Sequence, residues 1–450
     1  MNSADHPSTP AAKRSISNVL RDWDPRSERE ALMRLVTELY PICLSITGNG
    51  FRESLRLLGR HVELERHEVP TGTSVFDWTV PKEWNIRDAW ISTVAGQRIV
   101  DFRRHNLHVV NYSVPVERRI GLSELRHHLF TRPDAPDWIP YRTSYYKEDW
   151  GFCLSQRQLE SMTDSEYDVL IDSTLEPGHL TYGEYCVRGK TDEEVLISAH
   201  SCHPSLCNDN LSGMTVAARF AALLTGLDLR YSYRFLWIPG TIGAITWLAL
   251  HEDALSRIKH GLVLTCVGDP GRFTYKRSRQ GVAEIDRAVE HVLGTSGQPV
   301  EVRDFSPLGY DERQYCSPGI NLPVGCFMRT PNGEYPEYHT SADDLTLITS
   351  EALSESLHQL LRAVGTLERN RLYRNLYPKG EPQLGRRGLY RLMGGTDNDD
   401  LERAVLWVLN LSDGRYSLLD IAERSRLPFD VVAHAAEQLV AHALLEGVSD

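Results

Sequence analysis

No apolar run in the chain approaches the ~20 residues needed to cross a bilayer, so no membrane partner is expected. The stretch from Met1 to Arg26 lacks the basic and then apolar pattern of a signal peptide, and residues 1–27 read as a disordered tail. No second CxxC or CxxH half-site accompanies Cys202 and Cys207, which argues against a Cys/His structural zinc site. Without a secretion signal, the eight cysteines are expected as free thiols in a reducing, cytoplasmic setting. Positive charge is also short. Lys and Arg total 49 against 61 Asp and Glu, a formal charge of -12, so nucleic acid is not an expected partner.

What is present is ordinary for a globular chain: 41% hydrophobic and 24% charged residues over a length of 450, enough for two or three domains. Leu32, Leu35, Val36 and Leu39 recur at helical spacing, and a second helix follows the break at Tyr40-Pro41 and runs through Leu58. Leu64 to Val69 reads as a strand. Residues 70–139 change texture to short β-rich pieces (Ala89 to Val94, Arg98 to Phe102, Val109 to Tyr112) with one helix at Leu122 to Phe130, and are expected to form a small inserted β-rich domain packed around Trp78, Trp84 and Trp90.

From Pro140 a strand–helix rhythm predicts an α/β domain made of residues 28–69 and 140–376. Its strands are expected at Tyr167 to Ile171, Glu184 to Val187, Val195 to His200, Tyr233 to Ile238, Leu262 to Val267 and Val324 to Met328. Its helices are expected at Ser212 to Leu224, Ile242 to Arg257, Ala283 to Leu293 and Glu351 to Arg371. Pro378 to Gly395 has linker composition. Residues 377–450 close with three helical segments and a short strand at Leu444 to Val448, a winged-helix pattern. Asp430 and Glu437 on its presumed recognition helix favour a packing or protein-contact role over DNA.

The chemistry concentrates between Val195 and Gly213. The β-branched run Val195-Leu196-Ile197 ends in His200 as a buried parallel strand ends at its C-terminal edge, where open α/β sheets bind ligands. His200, His203 and Asp209 within ten residues are the donor types that zinc takes. Further donors lie after later strands, at Asp269, in the Asp311-Glu312-Arg313-Gln314 loop, and at His339 among Glu337, Asp343 and Asp344.

His200, the run Asn208-Asp209-Asn210-Leu211-Ser212-Gly213 and Tyr338-His339-Thr340 together resemble the zinc aminopeptidase family that also contains glutaminyl cyclases. The phrases at residues 40–48, 76–89, 203–205 and 311–319 are similar to a bacterial aminopeptidase-like branch with an inserted β-rich domain and a C-terminal winged helix. The resemblance runs from about Leu32 to Leu445. It implies a mixed α/β sheet flanked by helices, with Asp209 bridging metals and His200 and His339 as ligands.

The departures also matter. The family places a Glu-Glu pair after the strand at Tyr233 to Ile238, the first a general base and the second a zinc ligand. Here the chain reads Pro239-Gly240-Thr241. The family's usual Asp ligand falls near Thr265, with Asp269 an approximate substitute. One zinc, held by His200 or His203, Asp209 and His339, is therefore expected rather than two. Asp269, Glu312 and Glu337 are the candidate bases, and Arg313, Lys276 and Arg277 are candidates to hold a substrate carboxylate or phosphate.

The expected function is zinc-dependent hydrolysis of an amide in a peptide or small, biosynthetic molecule. A catalytically silent metal-binding protein and zinc-dependent acyl transfer or cyclisation are the alternatives. Assembly into a homo-oligomer stays open.

Overall fold

The computed structural model describes residues 14–389 and 399–448. The strand Glu194–His200 is buried at every position and pairs in parallel on both sides, with Ser232–Ile238 and with Ile258–Leu264. A strand covered on both faces gains nothing from polar alternation, which is why apolar residues run consecutively from Val195 to Ile197. Around it lies an eight-stranded mixed sheet. Its order is Glu65–Pro70, His179–Val187, Ser232–Ile238, Glu194–His200, Ile258–Leu264, Val324–Met328, Phe273–Lys276 and Val300–Arg303. The four central strands are parallel, and antiparallel pairing begins at His179–Val187 on one side and Phe273–Lys276 on the other.

Side chains alternate between the two faces of the central strand. Val195, Ile197 and Ala199 join the core formed by the helices Pro25–Leu39, Gly213–Leu224 and Ser350–Arg369. Leu196 packs on the opposite side with Trp247 of the helix Ile242–Leu250, and the Ser198 hydroxyl meets the Tyr315 hydroxyl there at 2.9 Å. His200 shares that parity, so it emerges on the face where the inserted region sits.

The inserted region is larger than the sequence suggests. Its four-stranded antiparallel sheet runs Arg98–Asp101, Glu83–Thr93, Glu166–Glu176, Val116–Gly121, so the insertion closes near residue 176 rather than 139. Tyr167, Val169 and Ile171 therefore belong to this sheet. Their alternating burial is the same signal whichever sheet receives them. Val109 to Tyr112 forms only isolated bridges. Leu122 to Phe130 breaks into the short turns Leu122–Leu125 and Arg126–His128, because His128 stacks on Trp150 at 3.7 Å and bonds its carbonyl. Of the three tryptophans, only Trp84 is fully buried; Trp78 is 41% exposed.

Part of the expected N-terminal tail is folded. Ser15 caps a helix Ile16–Arg21 whose Ile16 and Val19 bury themselves in the main core, near Gly365 of the long closing helix. Residues 1–13 lie outside the described residues.

The C-terminal unit begins at about residue 371 rather than 377. Its strand Leu372–Asn375 pairs with both Asp413–Ser417 and Leu445–Gly447, and the helices Asp399–Leu411, Leu418–Ser425 and Phe429–Ala441 pack against that small sheet. Of the expected linker, residues 390–395 lie outside the described residues. Among those described, no helix is long and apolar enough to cross a membrane.

Candidate metal centre

Each residue of Asn208-Asp209-Asn210 has its own task at the C-terminal edge of the sheet. Asn208 Oδ1 accepts the backbone N–H groups of Gly268 and Asp269 at 2.9 and 3.2 Å, tying down the loop after Ile258–Leu264. Asn210 Oδ1 accepts from His203 N at 3.0 Å while its amide donates to the His200 carbonyl at 2.9 Å, which holds the two histidines together. Between them Asp209 leaves helical geometry (φ -110°, ψ 80°) inside the wide turn Cys207–Ser212, so its carboxylate turns toward the imidazoles. Asp343 accepts from the backbone N–H of Asp209 at 3.0 Å and fixes that turn from below.

Three imidazoles meet this one carboxylate. His200 Nε2 lies 2.8 Å from Asp209 Oδ1, His339 Nε2 lies 3.1 Å from Oδ2, and His203 Nδ1 lies 3.9 Å from Oδ1. The donor atoms of His200, His203 and Asp209 all fall within 4.8 Å of one another, which is the spacing a single ion can gather. The rings of His203 and His339 are 5.0 Å apart. Burial pushes the Asp209 carboxyl up, yet the imidazoles of His203, His200 and His339 outweigh it and hold the group well below the usual carboxylate range. Burial also drives His203 down to about 3, so its ring is neutral and its lone pair is free to ligate at neutral pH. His339 sits in a left-handed backbone conformation (φ 54°), kept there by its carbonyl accepting from Tyr141 N at 2.8 Å and by stacking on Tyr338 at 3.9 Å. The donor set, imidazole and carboxylate, is of the type that zinc takes. At the positions where the resembled family has further carboxylates stand Thr241 and the buried Thr265, whose hydroxyl lies 3.5 Å from Cys266 Sγ.

Most of the expected catalytic and substrate-binding residues are placed away from the histidines or engaged by other partners. Asp269 is buried and consumed: its oxygens accept from Asn208, Gly271 and both donors of Thr330, at 2.6 to 3.1 Å. Glu312 is buried in an ion pair with Lys276, accepts from Tyr310 N at 3.1 Å, and so shapes the loop beside the site. Lys276 also donates to the Leu308 carbonyl at 2.7 Å, and both residues line a separate cavity of about 330 Å³. Arg277 is paired with Glu290 and Asp304. Arg313 is exposed, and neither it nor Glu337 lines the pocket that opens over the histidines.

Sequence reading missed Tyr310 and singled out Asp311 only as part of its loop. The Tyr310 ring lies over His200 at 3.9 Å between centroids and its hydroxyl is 3.4 Å from Cys202 Sγ. A Cβ at Gly240 would overlap that hydroxyl and come within 2.5 Å of the ring carbons Cε1 and Cζ. Gly240 is thus the residue that leaves room for Tyr310. Asp311 Oδ1 accepts from Thr241 N at 2.6 Å, while Oδ2 is the only buried carboxylate oxygen without a partner among the described residues. Burial raises Asp311 to about 6, against the opposing pull of His200. The His200 Nδ1 atom is likewise without a partner.

The pocket above the histidines has a volume of about 450 Å³. His203, His339, Gly240 and Tyr310 line it together with Trp78 and Tyr146 of the inserted region.

Residues 33–370 match the family described as "Domain of unknown function (DUF4910)", and residues 371–447 match a winged helix-turn-helix. A relative from Clostridium acetobutylicum is 52% identical over 416 residues, covering 92% of this chain and 96% of its own; its provisional name is polysaccharide biosynthesis protein with aminopeptidase-like domain. A crystal structure of a provisionally described peptidase from the same organism superposes with a TM-score of 0.91 at 49% identity, covering 96% of this chain and 100% of its own. A zinc aminopeptidase from Bacillus subtilis shares the fold, with a TM-score of 0.55 at 14% identity over 75% of this chain and 94% of its own.

Proposed function

The chain belongs to the DUF4910 family, and on that premise we propose that it is a zinc-dependent hydrolase of an amide bond in a biosynthetic substrate. The observation that carries this reading is the Asp209 carboxylate, buried at the C-terminal edge of the central strand and approached by His200, His203 and His339 beneath an open pocket. Those four residues would hold one ion. When bound, zinc would polarise the scissile carbonyl and lower the pKa of a bound water to about 7.

The protein's own groups do the rest. Asp209 remains ionised and His203 neutral at working pH, so neither must shed a proton to ligate. No carboxylate lines the pocket, and the unpartnered carboxyl behind its wall is Asp311, whose Oδ2 has a raised affinity for a proton and is the group this reading assigns to proton storage beside the centre. Tyr310 and Cys202 close the space beside it. The name of the Clostridium relative supports placing the substrate in polysaccharide assembly.

The winged helix supports a structural role in this reading. Asp430 at the start of the helix Phe429–Ala441 is paired with Arg369 of the body, and Asp420 and Glu423 are paired with Arg287 at 2.6 and 2.5 Å. The helix that would enter a DNA groove is thus tied back to the domain before it.

A second reading, metal binding without catalysis, is favoured by Tyr310 filling the place that the resembled family gives to a glutamate. Metal analysis by mass spectrometry with His203→Ala and His339→Ala tests the centre itself. About one zinc per chain in the wild type, lost in both variants, is the expected result; a well-folded wild type without metal after zinc loading would overturn both readings. Amine release from acylated substrates by the loaded protein separates hydrolysis from silent binding.

A further inference from the structure

No aspartate or glutamate lines the pocket over the histidines. Asp209 and Asp311 lie beneath its wall, wholly buried and engaged with the imidazoles and with Thr241 N. The one permanently charged side chain of the lining is Arg142. It is exposed and forms no ion pair among the described residues; its guanidinium stands over the Phe130 ring at 5.3 Å. Its backbone is held by its carbonyl accepting from Asn111 N at 2.9 Å, and Asn111 in turn bonds Leu44 O at 3.0 Å, so this cation starts from a fixed point.

At the mouth, Trp78 and Tyr146 meet edge to face at 5.4 Å, 41% and 53% exposed. Two large rings left half in water at a pocket rim offer flat apolar faces to a ligand. Hydroxyl groups of Thr143, Thr241 and Tyr145 are set among them.

This lining is poorly suited to the free end of a peptide. An α-ammonium would lose water among aromatic rings with no carboxylate to receive it, and would share the pocket with a cation. The same lining suits a ring with hydroxyls on its edge, an apolar C–H face and a negative charge.

We propose that the site takes an N-acylated amino sugar bearing an acidic group, with the acid on Arg142, the sugar face against Trp78 and Tyr146, and the amide directed toward His203 and His339. The proposal rests on the amide-hydrolase reading above and specifies its substrate class. In the reaction, water oxygen bonds to the acyl carbon, the C–N bond breaks with its electron pair going to nitrogen, and the nitrogen gains both protons of the water. An acyl carboxylate and an ammonium sugar leave.

The test is calorimetric titration of the zinc-loaded full chain with four probes: N-acetylmuramic acid, N-acetylglucosamine 1-phosphate, neutral N-acetylglucosamine, and leucinamide. At least one of the two anionic sugars should bind tenfold or more tightly than the neutral one, and the tighter of the two tells a carboxylate from a phosphate. Arg142→Gln should erase that preference while leaving the neutral sugar within twofold, and Trp78→Ala should weaken all three sugars. The preference should also fall with added salt. Leucinamide binding as tightly as the anionic sugars, an unchanged preference in Arg142→Gln, or no sugar binding at all would overturn the proposal. Acetate release, followed separately, keeps the two readings apart. Anion preference without acetate release would sink hydrolysis and leave the specificity, and acetate release without anion preference would do the reverse.

Discussion

Gly240 offers the sharpest test of how this site is built. A methyl group there would overlap the Tyr310 hydroxyl and crowd two ring carbons at 2.5 Å, and Tyr310 is itself pinned by the His200 ring and by Cys202. Forcing an added methyl into a filled space costs about 1–3 kcal/mol. With about 2 cal/mol/K of unfolding entropy per residue over a domain of roughly 340 residues, a 2 kcal/mol loss lowers Tm by about 3 °C. Gly240→Ala should therefore show that drop in a thermal denaturation scan. In a Tyr310→Ala background the same substitution should cost almost nothing, giving a coupling of about 1–3 kcal/mol in the double-mutant cycle. A drop of equal size in both backgrounds, or none in either, would refute the account of Gly240 as the space for Tyr310. By the same reasoning Gly240→Glu alone should give no gain in amide hydrolysis; only the pair Gly240→Glu with Tyr310→Ala leaves room for the new carboxylate.

Asp311→Asn should stabilise the protein at pH 8 more than at pH 5, read as the difference in Tm between variant and wild type. The folded-state pKa is raised from 3.8 to about 6, so the favourable protonated form is lost as pH rises through 6 and the ionised group carries a penalty of up to about 3 kcal/mol above it. A gain that is larger at pH 5 would contradict the sign. Arg287→Glu sets a third carboxylate beside Asp420 and Glu423 and should destabilise the docked winged helix, read as faster hydrogen exchange across 413–447; Glu423→Arg in the same chain should recover most of the protection. His203→Ala should lose zinc without a large loss of fold, since the ring makes few bonds beyond the cluster; unchanged metal content would remove His203 from the ligand set.

The central strand and its histidine were legible because a run of buried apolar residues says the same thing locally and globally: the expected span Val195 to His200 lies within a residue of the observed Glu194–His200. The winged unit was legible as three helical segments and a short strand, and its helix Leu418–Ser425 opens on a Ser417–Asp420 capping box that is local in the chain. What escaped was long-range pairing. Glu166–Glu176 alternates as a strand should, but nothing local says that its partner is Glu83–Thr93, some eighty residues earlier. Lys276 and Arg277 looked like a basic loop because their partners, Glu312, Glu290 and Asp304, come from other elements. Tyr310 sits on a loop without periodicity. The available clue was Gly240 itself, since a glycine ending a buried strand marks the close approach of something else.

The long helix Ser350–Arg369 begins eleven residues after His339 and is separated by only Asn370 and Arg371 from the strand Leu372–Asn375, which sits at the middle of the winged unit's sheet. Asn370 adds a bolt at the join, its side chain accepting from Leu419 N at 2.9 Å and donating to Glu284 at 2.8 Å. A helix of twenty residues spans about 30 Å, so a tilt of roughly 5° at its first turn carries its last turn by about 2.6 Å. One helix thus follows the loop that carries His339 and leads directly into the central strand of the winged unit.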